Sequence, residues 1–190
     1  MNPPKRPGRR AVCLLVLFSV WWVAVATVGF SAETVSSEPQ VKAAFLINFA
    51  KYADWPSNAF EKANSPIVLG VMGDNKVSEE LQKVIAGRVI NGREIVLKRA
   101  NSIDEAGACH ILFISNAEQQ HTPTVLDQVK GHVLTVGESP EFLEKGGVIN
   151  LVRKDQKIAL EVNLTAADKA QIKISSKLLS VATLVKGKAN

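Results

Sequence analysis

The chain has 190 residues, with 23 lysines and arginines against 18 aspartates and glutamates for a formal charge of +5, and 46% of it is hydrophobic. Four of the basic residues (Lys5, Arg6, Arg9, Arg10) and none of the acidic ones fall in the first 32 positions, so residues 33–190 carry only +1. That excludes the broad positive field a phosphate backbone requires, which argues against nucleic acid as a partner, and 158 residues are enough to build a core without metal or disulfide support.

From Ala11 to Phe30 no side chain is charged. A basic start followed by an apolar run is the layout of a secretory signal peptide, expected over residues 1–32. Small residues suited to cleavage stand at Ala24-Val25-Ala26 and again before Ala32. The run also approaches the ~20 residues that span a bilayer, so an uncleaved anchor stays open beside cleavage. Residues 33–190 are expected to form a single α/β domain. Cys13 belongs to the leader and leaves Cys109 alone in that domain, which excludes an intramolecular disulfide there.

A polar tether, residues 33–40, leads into an amphipathic helix over 41–54, with Val41, Phe45, Phe49 and Tyr52 at helical spacing and Pro56 ending it. Ile67–Met72 reads as a buried strand, and Leu81, Val84 and Ile85 mark a helix closed by Gly87. Asn91-Gly92 predicts a tight turn before the strand Ile95–Leu97. Ser102 with Glu105 caps a short helical turn leading to a strand from Cys109 to Ile114. Thr122-Pro123 opens a helix that Gly131 stops, His132–Val136 is a further strand, and Ser139-Pro140 starts a brief helix ended by Gly146-Gly147. Val148–Val152 and Lys157–Leu164, joined by a short polar loop, predict an antiparallel hairpin. Thr165 with Asp168 caps another turn, and Leu178, Leu179, Ala182 and Val185 predict a last helix from Ser176. The sum is a three-layer α/β sandwich with a mainly parallel sheet and an antiparallel edge hairpin.

In such sheets ligands collect beyond the carboxyl ends of the parallel strands. Those ends supply the ligand-binding candidates Gly73, Asp74, Ser115, Asn116, Gly137 and Glu138, whose carboxylates suit a cationic or hydroxylated ligand. The same residue types are also what strand-to-helix turns ordinarily use. Trp55 and Pro56 are partner-interface candidates, with a core role for the tryptophan as the competing reading. No catalytic set is found. Cys109 and His110 are neighbours on a strand and point to opposite faces; no dinucleotide fingerprint, P-loop or nucleophile elbow is present. His110, His121, His132 and one cysteine have no metal-ligand spacing, so neither a metal nor another cofactor is expected. Asn163-Leu164-Thr165 matches a glycosylation acceptor, a pattern too short to weigh. Export without a catalytic set favours a binding or regulatory protein over an enzyme.

Several stretches resemble the YfiR-like family of small periplasmic proteins: VKAAFLINFAKYADWP (41–56), VMGD (71–74), ACHILFIS (108–115), LTVGESPEFLEKGGVINLV (134–152) and LEVNLTAADKAQIKISSKLLSVA (160–182). The resemblance implies a periplasmic regulator that binds the periplasmic sensor region of an inner-membrane diguanylate cyclase and represses it, lowering cyclic-di-GMP and biofilm formation. It also implies a homodimer matched to a symmetric receptor. The alternative is a periplasmic small-ligand binder using the strand-end crevice. One departure stands out. Family members often carry a first-strand cysteine able to pair with the one in the Cys-His-hydrophobic strand, and Gly70 occupies that place here.

Overall fold

The computed structural model describes residues 36–155 and 157–185. The expected leader lies outside them. Helix α1 (Glu38–Tyr52) is followed by the two-residue strand β1 (Ala53–Asp54), then β2 (Ile67–Met72), α2 (Asn75–Ile85), β3 (Val89–Ile90) and β4 (Arg93–Arg99). Next come α3 (Ile103–Gly107), β5 (Ile111–Ile114), α4 (Thr122–Gln128) and β6 (Leu134–Gly137). The chain continues through β7 (Ile149–Lys154), β8 (Lys157–Val162), α5 (Leu164–Lys169), β9 (Lys173–Ile174), α6 (Ser176–Leu179) and β10 (Ala182–Leu184).

Eight strands form one sheet in the order β10-β8-β7-β6-β5-β2-β4-β3, while β1 pairs with β9 apart from it. Pairing is parallel except where β7 meets β8 and β3 meets β4. The mainly parallel α/β sheet and its antiparallel hairpin are therefore present as read from the sequence. The central strands β2, β5 and β6 are buried along their whole length, which is why they read as continuous apolar runs. Alternate side chains serve two cores. Ile67, Leu69 and Val71 join Leu46, Phe49 and Leu81 on the face that α1 and α2 cover. Val68 and Met72 join Ala106, Val125 and Phe142 on the face of α3 and α4. Helices on both faces of one sheet make three layers.

Several details differ from the sequence reading. α1 begins three residues earlier, because Gln40 Oε1 accepts the Ser37 N–H at 2.9 Å and holds the first turn. Residues 139–147 form successive turns and no helix: Glu141 takes a φ of 62°, which a helix cannot continue through. The α5 cap is Asn163, whose Oδ1 accepts the Ala166 N–H at 3.1 Å. Asn163 is also 0% exposed and donates to the Leu143 carbonyl, so the acceptor pattern there is spent on structure. Finally, the expected last helix stops at Leu179, and β10 runs parallel to β8 outside the hairpin. The helical spacing of Leu178, Leu179, Ala182 and Val185 loses to the alternating β-branched residues Val181, Thr183 and Val185, with an open sheet edge to pair.

Candidate functional site

The chain leaves β2 for α2 on one face of the sheet and leaves the neighbouring β4 for α3 on the other. Strand ends that part in this way open a crevice. A cavity of about 670 Å³ fills it, with Gly73, Asp74, Arg99, Glu118 and His121 on its walls. Met72, Ala100 and Val125 supply apolar surface, and Ser78, Asn101, Ser102 and Thr124 supply further polar groups. Its size falls within the few hundred to about 1,000 Å³ typical of small-molecule sites.

Gly73 allows the walls to close in. Its φ is 88°, and a β-carbon there would lie 2.6 Å from Glu118 Cγ and 2.7 Å from Ser115 Oγ. Asp74 caps α2: one carboxylate oxygen accepts the Lys76 N–H at 2.7 Å and the Val77 N–H at 3.2 Å. Glu118 Oε2 meets His121 Nδ1 at 2.8 Å, a pair one helical turn apart.

Of the six strand-end candidates, Gly73 and Asp74 line this cavity, and Ser115 is buried just beneath Gly73. Asn116, Gly137 and Glu138 are drawn elsewhere. The Asn116 N–H donates to Glu138 Oε1 at 2.8 Å, and Glu138 Oε2 forms an ion pair with Lys42 of α1. Lys42 is only 8% exposed and also meets Glu38 at 2.6 Å, which in turn meets Arg153 at 3.1 Å. Burial by itself would lower the Lys42 pKa, but the Glu138 and Glu38 carboxylates outweigh it and hold the ammonium above its ordinary value. At Gly137 the Phe142 ring fills the space where a β-carbon would be. Sequence reasoning missed Arg99, Glu118 and His121. The signal was present at the end of β4 and in the loop after β5, since the strand-end rule covers the last strand residue and the whole loop.

Trp55 is half-buried. Its Nε1 donates to the His132 carbonyl at 3.0 Å, and its ring meets His110 edge-on at 6.4 Å. His110 stacks on Phe60 at 4.5 Å, and the Arg93 guanidinium lies over the Phe60 ring at 3.6 Å. His110 Nδ1 accepts the Val68 N–H, so Nε2 carries the proton and donates to the Ala59 carbonyl at 3.1 Å. Desolvation, helped by the nearby Arg93 charge, outweighs the Ala59 hydrogen bond and holds the His110 pKa below 6.5. Folding thus favours the neutral imidazole, and the unfolded chain binds more protons between the folded pKa and 6.5. The His110 contribution to stability is complete above pH 6.5 and is lost as pH falls toward the folded value. Urea midpoints taken from pH 7.5 to 5 should fall for the native protein and fall less for His110→Asn; parallel curves would contradict this.

Cys109 is 4% exposed, its thiol donates to the Glu105 carbonyl at 3.2 Å, and burial pushes its pKa up to about 11, so it is no nucleophile at neutral pH. A β-carbon built on Gly70 would overlap Cys109 Sγ and lie 3.3 Å from Cys109 Cβ, close to the ~3.5–4.5 Å of a disulfide. Position 70 is therefore the pairing position for Cys109, and glycine leaves the thiol single. Gly70→Cys, oxidised, should lose both free thiols in a denatured thiol assay of residues 33–190; two titratable thiols after oxidation would refute the placement.

Among the described residues, no three or more His, Cys, Asp or Glu side chains gather as a metal would require, and no helix is long and apolar enough to cross a membrane. No curated protein matches the chain. Among solved structures it is similar to an ABC domain in complex with L-Trp from Streptococcus pneumonia, at 12% identity and a TM-score of 0.46, covering 62% of this chain and 55% of that one. It is similar also to a conserved domain protein from Vibrio cholerae O1 biovar eltor, at 15% identity and a TM-score of 0.46, covering 63% of this chain and 55% of that one. The chain thus spans about half the length of each of these structures. A family model described as YfiR/HmsC-like matches residues 39–183, from the first turn of α1 to β10, and the chain belongs to that family.

Proposed function

We propose that this protein is a periplasmic regulator that binds the periplasmic sensor region of an inner-membrane diguanylate cyclase and represses it, lowering cyclic-di-GMP and biofilm formation. The observation that carries the reading is family membership across residues 39–183. In this reading residues 1–32 deliver one domain, 33–190, to the periplasm, and no catalytic step is invoked. The half-exposed Trp55 and Pro56 stand at the rim of the partner contact, and a dimer of the regulator matches a two-fold receptor. Repression works through differential affinity. A regulator shifts the cyclase only as far as it prefers the inactive form, and a nearly complete switch needs a preference of about 10⁴-fold.

Deleting the gene should raise cellular cyclic-di-GMP, and the full chain should restore it. A version starting at residue 33 should fail to restore it, because it stays in the cytoplasm. Unchanged cyclic-di-GMP on deletion, or full rescue by the leaderless version, would refute the reading.

A further inference from the structure

The crevice between β2 and β4 holds polar groups whose bonding is only half complete. Asp74 spends one oxygen on the α2 cap and Glu118 spends one on His121. The second oxygen of each has no hydrogen-bond partner among the described residues. Arg99, on the same wall, has no carboxylate within ion-pair distance among them. These leftovers specify a ligand. An unpaired guanidinium asks for an anion and matches a carboxylate in shape. The two carboxylates already have their charge met in part, by the backbone N–H groups of α2 and by an imidazole, and so ask for neutral donors instead of a second cation. Hydroxyl groups are such donors. Ser102, whose Oγ accepts the Glu105 N–H, and Thr124 can add further bonds, while Met72, Ala100 and Val125 can receive the C–H face of a ring.

We propose that this crevice binds a small polyhydroxylated carboxylate of the sugar-acid class, with its carboxylate on Arg99 and its hydroxyls on Asp74 and Glu118. About 670 Å³ accommodates a mono- to disaccharide. The inference rests on the cavity and not on the cyclase, so either can fail without the other.

The test is titration of the purified exported protein with D-glucuronate and D-galacturonate, using D-glucose and D-glucosamine as controls, read by calorimetry and by melting temperature. At least one acid should bind with a Kd below about 1 mM, and both controls should bind about tenfold or more weakly. Arg99→Ala should weaken the acid about tenfold or more, and Arg99→Lys should recover part of the loss. Arg99 is exposed at a strand end, so both variants should melt with the native protein when no ligand is present. Absence of binding by either acid in both readouts, glucosamine binding as tightly as the acids, or an unchanged affinity in Arg99→Ala would overturn the proposal.

Discussion

Replacing Lys42 by methionine should destabilise the fold by about 3–5 kcal/mol, the usual cost of leaving one member of a buried ion pair without its partner. The stranded group is Glu138, whose side chain is 10% exposed and which keeps only the Asn116 N–H once the ammonium is gone. Exchanging both residues, Lys42→Met with Glu138→Met, removes the uncompensated charge and should recover most of that loss. Denaturant unfolding of the three variants gives the comparison. A single-variant cost below about 1 kcal/mol, or a double variant worse than the single one, would contradict a buried pair. The pH dependence has a definite sign. The Lys42 pKa is raised on folding, so its contribution is complete below its unfolded value of 10.5 and fades only as pH rises through the folded value above that. The Lys42→Met deficit should therefore be flat from pH 6 to 9. The Glu38 pKa is lowered, mainly by its hydrogen bond to Lys42, so its smaller share is present above 4.5 and is lost as pH falls through its folded value.

Phe142→Ala should cost a comparable amount, about 3–5 kcal/mol, because the ring is fully buried and its loss leaves a cavity. The ring lies against two backbones: a β-carbon on either Gly137 or Gly147 would overlap it. Gly137→Ala alone should therefore overpack the site by about 1–3 kcal/mol. Made together, the two changes should couple favourably, since the new methyl enters the space the ring vacates. A double-mutant cycle checks this. Simple additivity would mean that the ring does not rest on Gly137.

Much of the architecture is legible in the sequence because its elements are local and strongly patterned. Strands β2, β5 and β6 are short apolar runs ending in glycine or polar turns, and the β7–β8 hairpin carries its alternation openly. What stayed hidden depends on pairing across the fold. The two-residue β1 pairs with β9 from the far end of the chain, and β10 replaces the end of a predicted helix because β8 offers a free edge. One residue carried a signal that was there to be read. Lys42 stands three, four and seven residues before Phe45, Leu46 and Phe49, on the inward stripe of α1, where a charge requires a buried partner. Glu141 follows Pro140 but takes a left-handed conformation, which turns an expected helix start into a turn that delivers Phe142 to the core. The strand-end rule located the crevice through Gly73 and Asp74. It could not anticipate that Lys42 claims Glu138 or that Phe142 occupies the space at Gly137, since both partners come from other elements.

The most direct test of the regulatory reading is purification of the tagged full-length protein from detergent-solubilised membranes, with diguanylate cyclase activity measured in the eluate before and after the regulator is released. A transmembrane protein with a cytoplasmic cyclase domain should co-purify in stoichiometric amount, and its activity should rise on release. Recovery of the regulator without a cyclase, or a cyclase whose rate is the same bound and free, would contradict it.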